Sequence, residues 1–205
     1  MAREIEAKFR LADAAALRLR LPALGAQRVH TVQETNLILD TPARQLLGQG
    51  CGLRIRVAQP LDGAASPRVL LTYKGPRDPA LHGRGIKSRE ELELEVADEQ
   101  NLVALFARLG FGPVLCYEKR RETWRLENAE VVLDELPLLG WFVELEARGS
   151  DVLESLRAQL GLDRETPVAE TYPELTARWG TSSVDGSRVL RFPPDTKEPP
   201  ESIRI

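Results

Sequence analysis

Glu4 and Glu6, then Glu91, Glu93 and Glu95, then Glu144 and Glu146 recur at two-residue spacing with small, aliphatic or aromatic neighbours between them. Arg54 and Arg56 do the same, Lys119 and Arg121 keep the spacing with Arg120 between them, and Lys74 ends another extended run. On a strand this spacing puts side chains on one face, about 6.5–7 Å apart. A row of like charges at that separation repels itself, so it needs bulk water, partner cations or a metal ion. The rows are also segregated by sign, with acids near residues 4, 91 and 144 and bases near 54, 74 and 121. Carboxylate oxygens suit hard divalent cations that bridge to phosphates. Arginine offers phosphate oxygens a planar fork, and lysine a mobile point charge. A polyanion held by cations and bridged by metal would use this whole set.

An antiparallel sheet with one wet face also alternates apolar and polar residues. Such faces draw on Thr, Ser and Gln, because strand propensity disfavours Glu and Lys; here the polar positions are almost purely ionic. If the strands curl so that their charged faces look inward, the apolar faces are left for a helix layer. Charges withdrawn from water destabilise unless paired or metal-bound, so such an interior is a functional site. Phosphoryl transfer suits it, since that chemistry demands positioning and charge neutralisation more than a protein nucleophile.

Other chemistries have less support. Neither a Ser-His-Asp nor a Cys-His arrangement is apparent, and His30 and His82 read as surface residues. Cys51 and Cys116 are far apart and lack zinc or disulfide spacing. The chain of 205 residues carries a formal charge of -3 with 29% charged residues, so placement matters more than the total. There is no apolar stretch of about 18 residues, and the start lacks a signal-peptide pattern. The expectation is a cytoplasmic protein with no nucleic-acid or membrane partner; the composition leaves the oligomeric state open, a homodimer included.

The elements that must carry these residues follow from periodicity. Strands are predicted at 4–9, 29–40, 53–57, 69–74, 89–96, 117–126, 131–134 and 141–146. In the strand at 89–96, Leu92, Leu94 and Val96 share one face, expected under the helix layer. Helices are predicted from Asp13 to about Leu21, where Pro22 breaks the pattern, from Asp98 to about Leu109, and over 152–160 and 174–179. Residues 59–67 and 77–88 read as loops. Three times an acidic strand leads into a helix that finishes at Leu-Gly, at Leu24-Gly25, Leu109-Gly110 and Leu160-Gly161. Residues 1–180 form the expected domain. From 181 to 205 the chain is polar and proline-rich, and reads as a flexible tail.

Glu4-Ile5-Glu6-Ala7-Lys8 resembles the amino-terminal ExExK signature of the CYTH family, the triphosphate tunnel metalloenzymes. The resemblance continues through Leu53-Arg54-Ile55-Arg56, Tyr73-Lys74-Gly75-Pro76, Arg89-Glu90-Glu91-Leu92-Glu93, Glu118-Lys119-Arg120-Arg121, Leu133-Asp134-Glu135 and 140–146, to Thr171-Tyr172-Pro173-Glu174-Leu175. It implies an α+β fold: an eight-stranded antiparallel barrel forming a tunnel, with helices outside. It also implies a Mg²⁺- or Mn²⁺-dependent reaction on a small-molecule triphosphate. By motif match Glu4, Glu6, Asp134, Glu144 and Glu146 would hold metal. Lys8, Arg54, Arg56, Lys74, Lys119 and Arg121 would bind the triphosphate, and Glu4, Glu6 and Lys8 would stand at the reaction. Arg89, Glu91 and Glu93 would support the tunnel wall. The family offers two activities, hydrolysis of a triphosphate and class IV adenylyl cyclisation of ATP. The chain lacks the His-Phe pair that precedes ExExK in some cyclases, which favours hydrolysis. A non-catalytic polyphosphate- or nucleotide-binding module is the remaining alternative.

Overall fold

The computed structural model describes residues 5–63, 65–76, 86–87 and 90–193. In chain order the elements are β1 (Ile5–Leu11), α1 (Ala14–Ala23), β2 (Gln27–Asp40), α2 (Gln45–Gly48), β3 (Gly52–Pro60), β4 (Arg68–Lys74), β5 (Ile86–Lys87), β6 (Glu91–Val96), α3 (Glu99–Arg108), β7 (Gly112–Arg125), β8 (Ala129–Leu136), β9 (Gly140–Ala147), α4 (Ser150–Gln159), α5 (Tyr172–Trp179), β10 (Thr181–Ser182) and β11 (Arg188–Leu190). The main sheet runs β5-β1-β9-β8-β7-β2-β3-β4-β6. Without the short β5 this is the expected run of eight strands, each antiparallel to its neighbours. Among the described residues its ends, β5 and β6, are not joined by hydrogen bonds.

Alternation gives the sheet two faces. Ala7, Phe9, Val131, Leu133, Val143 and Leu145 point outward into a core shared with Leu17 and Leu21 of α1 and Leu153 and Leu156 of α4. Leu39, Leu53 and Ile55 make a second outer cluster under Leu102 of α3. On the other face Lys8, Glu34, Lys119, Asp134 and Glu144 are buried. The antiparallel sheet curls over that face in a barrel-like form, with α1, α3 and α4 outside and α5 across one end of the inner face.

The repeated strand-helix units share an ending. The three helices close at Leu24, Leu109 and Leu160, followed by Gly25, Gly110 and Gly161 at φ of 81°, 87° and 71°. That left-handed position suits glycine because it lacks a Cβ. The first two helices also start alike, Asp13 and Asp98 each accepting a backbone N–H three residues on. Pro22 lies inside α1 rather than ending it, the helix continuing to Ala23. In the last turn the missing proline N–H costs one bond, and the N–H groups of Gly25 and Ala26 close the end on Pro22 and Leu21.

Four expectations need correction. Leu92 and Leu94 are 56% and 64% exposed; only Val96 of that row reaches the α3 cluster. The reason is position: β6 ends the hydrogen-bonded sheet, and Leu102 of α3 packs with Leu39 of β2 and with Leu53 and Ile55 of β3. The stretch from 181 is also not all tail, because β10 and β11 form a hairpin and β11 pairs in parallel with β7. Leu190 is buried there against Leu136, Tyr172 and Leu175. Residues 194–205 lie outside the described residues, as do 77–85 and 88 of the predicted loop, while 86–87 form β5 on β1. The loop predicted at 59–67 begins later, because β3 continues to Pro60.

Candidate functional site: an ionic inner face

Strand register builds the inner face row by row, since residues opposite one another project to the same side. At one end Glu6, Glu146, Glu130 and Arg125 are successive Cα partners across β1, β9, β8 and β7. Further in, Lys8 lies opposite Glu144, Arg121 opposite Asp134, and Lys119 opposite Glu34. The other wall places Asn36 opposite Arg56, Arg54 opposite Thr72, Thr72 opposite Glu93, and Lys74 opposite Glu91.

The interior is a lattice of charge-assisted bonds. Arg121 donates to Asp134 through Nε and Nη2, at 2.8 and 2.6 Å, and through Nη2 to Glu144 at 2.7 Å. Lys119 Nζ stands 3.2 Å from Asp134 and 3.5 Å from Glu34. Lys8 Nζ is 3.5 Å from Glu144. Arg56 bridges Glu34 at 3.2 Å and Glu93 at 2.8 Å, and Arg54 donates to Thr72 at 3.2 Å. Lys74 pairs with Glu91 at 2.6 Å. Three buried polar atoms of this lattice, Arg54 Nε, Arg56 Nε and Asn36 Oδ1, have no hydrogen-bond partner.

Helix α5 covers the far end of this face. The segment leading to it crosses the edge of β1, where the Val168 N–H donates to the Lys8 carbonyl at 2.6 Å. A reciprocal cap then starts the helix: Thr171 Oγ1 accepts from the Glu174 N–H, and the Glu174 carboxylate from the Thr171 N–H. Tyr172 and Leu175 pack on Tyr117, Leu136 and Phe142, which continue the inner-face rows. The Tyr172 hydroxyl donates to Asp134 at 2.8 Å, and Lys8 Nζ lies 3.8 Å above its ring.

Electrostatics separate the carboxylates. Burial would raise Glu34, but Lys119, Arg121, Arg56 and Arg54 hold it well below its usual range. Glu144 is likewise lowered: burial and Glu6 push it up, and Lys8, Arg121 and Lys119 more than offset them. Glu146 goes the other way, pushed up to about 7 by burial and by repulsion from Glu144, Glu6 and Glu130, against the pull of Arg121. Burial, reinforced by Arg121, lowers Lys119 although Asp134 and Glu34 pull it up. Burial raises both Tyr117 and Tyr172, so their hydroxyls remain donors.

Of the residues singled out in the sequence, Glu6, Lys8, Arg54, Arg56, Lys74, Glu91, Glu93, Lys119, Arg121, Asp134, Glu144 and Glu146 lie on this one face. Glu4 and Arg89 are outside the described residues. The acids are divided: Asp134 and Glu144 are engaged by cations, whereas Glu6 and Glu146 stand in the crowded row with Glu130. Among the described residues no three acidic, histidine or cysteine side chains are gathered closely enough to hold a metal ion. The donor types nevertheless fit a hard divalent cation, and the burial and like-charge crowding that raise Glu146 are what such a cation offsets. Sequence reasoning passed over Glu34, Asn36 and Glu130, and gave Tyr172 no role. Glu34 and Asn36 do alternate with the outward Leu37 and Leu39, a signal blurred by the polar Gln33 and Thr35 on either side of Glu34.

A sequence model of the CYTH domain matches residues 2–172. The chain belongs to the CYTH family. It is 28% identical over 182 residues to a Methanocaldococcus jannaschii protein named "putative adenylate cyclase", covering 84% of this chain and 97% of that one. It is 29% identical over 182 residues to the adenylate cyclase CyaB of Aeromonas hydrophila, covering 84% and 87%. Among solved CYTH-like folds, a Vibrio parahaemolyticus "putative adenylate cyclase" superposes with a TM-score of 0.73 at 20% identity, over 85% of this chain and 98% of that one. A Hippeastrum protein described as a "putative adenylyl cyclase" with a dominant triphosphatase activity superposes with a TM-score of 0.61 at 21% identity, over 82% and 92%.

Proposed function

We propose that this CYTH protein is a divalent-metal-dependent triphosphatase acting on an inorganic or organic triphosphate bound along its inner face. The observation that carries this reading is the convergence of Lys8, Arg54, Arg56, Lys119 and Arg121 on a face where Arg54 Nε and Arg56 Nε are buried without acceptors. Donors left unmet inside a cationic wall fit the oxygens of an anion that brings several acceptors at once. Arg54 and Arg56 would grip one stretch of the phosphate chain, and Lys8, Lys119 and Arg121 the other. Lys74, beside Glu91, would extend the cationic wall toward the sheet edge. Glu6, Glu144 and Glu146, with Asp134 and Glu4, would hold Mg²⁺ or Mn²⁺. The metal would supply charge neutralisation at phosphate oxygens.

Hydrolysis consumes water, breaks one phosphoanhydride bond and releases orthophosphate and a diphosphate. The second reading, cyclisation of ATP to cyclic AMP and pyrophosphate, draws support from the names of the relatives. Hydrolysis is favoured because the inner-face aromatics Tyr117, Phe142 and Tyr172 pack on one another at the α5 end. That leaves ionic side chains to line the middle of the face, which suits phosphate better than a purine. Incubation with tripolyphosphate, thiamine triphosphate and ATP under Mg²⁺ or Mn²⁺, followed by product analysis, tests both. Orthophosphate supports hydrolysis, cyclic AMP with pyrophosphate replaces it by cyclisation, and tight binding without product reduces the protein to a binding module.

A further inference from the structure

Arg121 stands where two sets of carboxylates meet. Its guanidinium is bonded to Asp134 at 2.8 and 2.6 Å and to Glu144 at 2.7 Å, while Glu34 Oε1 lies 4.0 Å from Nε on its other side. Asp134 and Glu144 are themselves buried, so neither can turn to bulk water for a replacement donor. Lys119 and Tyr172 add two more donors to Asp134 Oδ2, at 3.2 and 2.8 Å. Both oxygens of Asp134 and one oxygen of Glu144 are therefore already accepting hydrogen bonds, and the other Glu144 oxygen lies 3.5 Å from Lys8 Nζ. The donor that joins the two carboxylates is Arg121.

We propose that Arg121 is a latch on the metal site: it holds Asp134 and Glu144 until a phosphate chain draws the guanidinium away and frees them to coordinate. This deepens the proposed function and rests on its reading of Asp134 and Glu144 as metal ligands. An arginine has one planar fork. It can satisfy carboxylates or phosphate oxygens, and Glu34 keeps it within the site as it changes partner. Binding of triphosphate and binding of metal then favour each other, because each removes the competitor that the other faces, and the coupling is reciprocal. Arg121 is a positioning residue in this role, acting on the metal through the two acids and in addition to its contact with phosphate.

The test reads metal binding and the arginine itself, without turnover. In phosphate-free buffer, Mn²⁺ affinity is measured by electron paramagnetic resonance of free Mn²⁺ for the wild type, Arg121→Gln and Arg121→Lys. Removing the latch is expected to tighten Mn²⁺ by roughly tenfold or more, the scale of a hydrogen bond to a charged group. Lysine, which keeps the charge but not the fork, is expected to fall between. Unchanged or weaker Mn²⁺ binding in a folded Arg121→Gln protein overturns the proposal.

Should Arg121→Gln fail to fold, the wild type decides. Its Arg121 Nε–H resonance, assigned by its loss in Arg121→Lys, is expected to shift on addition of tripolyphosphate in chelator, and again on saturation with Mg²⁺ alone. A resonance that stays in place while either ligand binds overturns the latch and leaves triphosphate hydrolysis untouched. A responsive resonance in a protein that releases neither orthophosphate nor cyclic AMP keeps the latch and removes the enzyme.

Discussion

Glu6 and Glu146 stand opposite each other across β1 and β9, carboxyl against carboxyl. The next row inward sets Lys8 against Glu144, and this one-row difference gives the two glutamates of β9 opposite behaviour. Glu144 is lowered by cations, whereas Glu146 is raised to about 7.

The raised Glu146 makes the metal-free protein sensitive to pH. A carboxyl whose pKa is higher in the folded than in the unfolded chain binds more protons when folded, so stability falls as pH rises between the two values. For Glu146 that window runs from 4.5 to about 7. Denaturant unfolding in chelator is expected to show this contribution to stability shrinking across the window. Saturating Mg²⁺ should reverse it at pH 7.5, and Mg²⁺ affinity should rise through pH 7 as Glu146 loses its proton. A Mg²⁺ affinity flat from pH 6 to 8 would rule Glu146 out as a ligand.

Glu6→Gln separates folding from function. It removes one like charge from the Glu146 row, so Glu146 should titrate nearer its ordinary value and the metal-free protein should be no less stable at pH 7. Turnover on tripolyphosphate should nevertheless vanish, because a carboxamide is a poor ligand for Mg²⁺. Unchanged turnover at saturating Mg²⁺ would remove Glu6 from the site.

These rows were legible because β1 and β9 each alternate cleanly on their own, although their pairing joins distant parts of the chain. Glu34 was not, since its partners Lys119 and Arg56 come from β7 and β3, and Gln33 and Thr35 hide the alternation around it. Tyr172 was quoted within a motif, yet its contact with Asp134 depends on a helix returning over the inner face, which no local pattern encodes. Leu92 and Leu94 teach the converse. Alternation tells which residues share a face, and only the placement of α3 tells whether that face is covered.

Arg54→Ala tests the phosphate grip. Arg54 donates to Thr72 and lies 3.7 Å from Glu93, so its loss leaves Thr72 with Glu93, to which it donates at 2.9 Å. The cost in stability should be small, whereas KM for tripolyphosphate should rise tenfold or more, by roughly the worth of one charge-assisted contact. A variant with both KM and kcat unchanged would place the phosphate chain elsewhere.

Tyr172→Phe keeps the ring under Lys8 but deletes the hydroxyl that donates to Asp134. Asp134 retains Arg121 and Lys119, so the loss should be about 1–3 kcal/mol in urea unfolding. Tyr172→Ala also empties the packing between Phe142 and Tyr117, and should cost about 3–5 kcal/mol. If the two variants were equally destabilised, the ring would contribute nothing to the closure at the α5 end.

Glu34→Gln is the sharpest test of the lattice. Glu34 is buried among Lys119, Arg56 and Arg121, and cations left without their carboxylate in such a place cost on the order of 3 kcal/mol or more. Because Glu34 is held below its ordinary pKa, its stabilisation is full above about pH 4.5 and is lost as pH falls below that. The difference between wild type and variant should therefore narrow in acid. At neutral pH the variant exposes more uncompensated positive charge to an incoming anion, so tripolyphosphate in chelator should raise its Tm by more than it raises that of the wild type. An equal shift in both would mean that Glu34 and the triphosphate do not compete for the same cations.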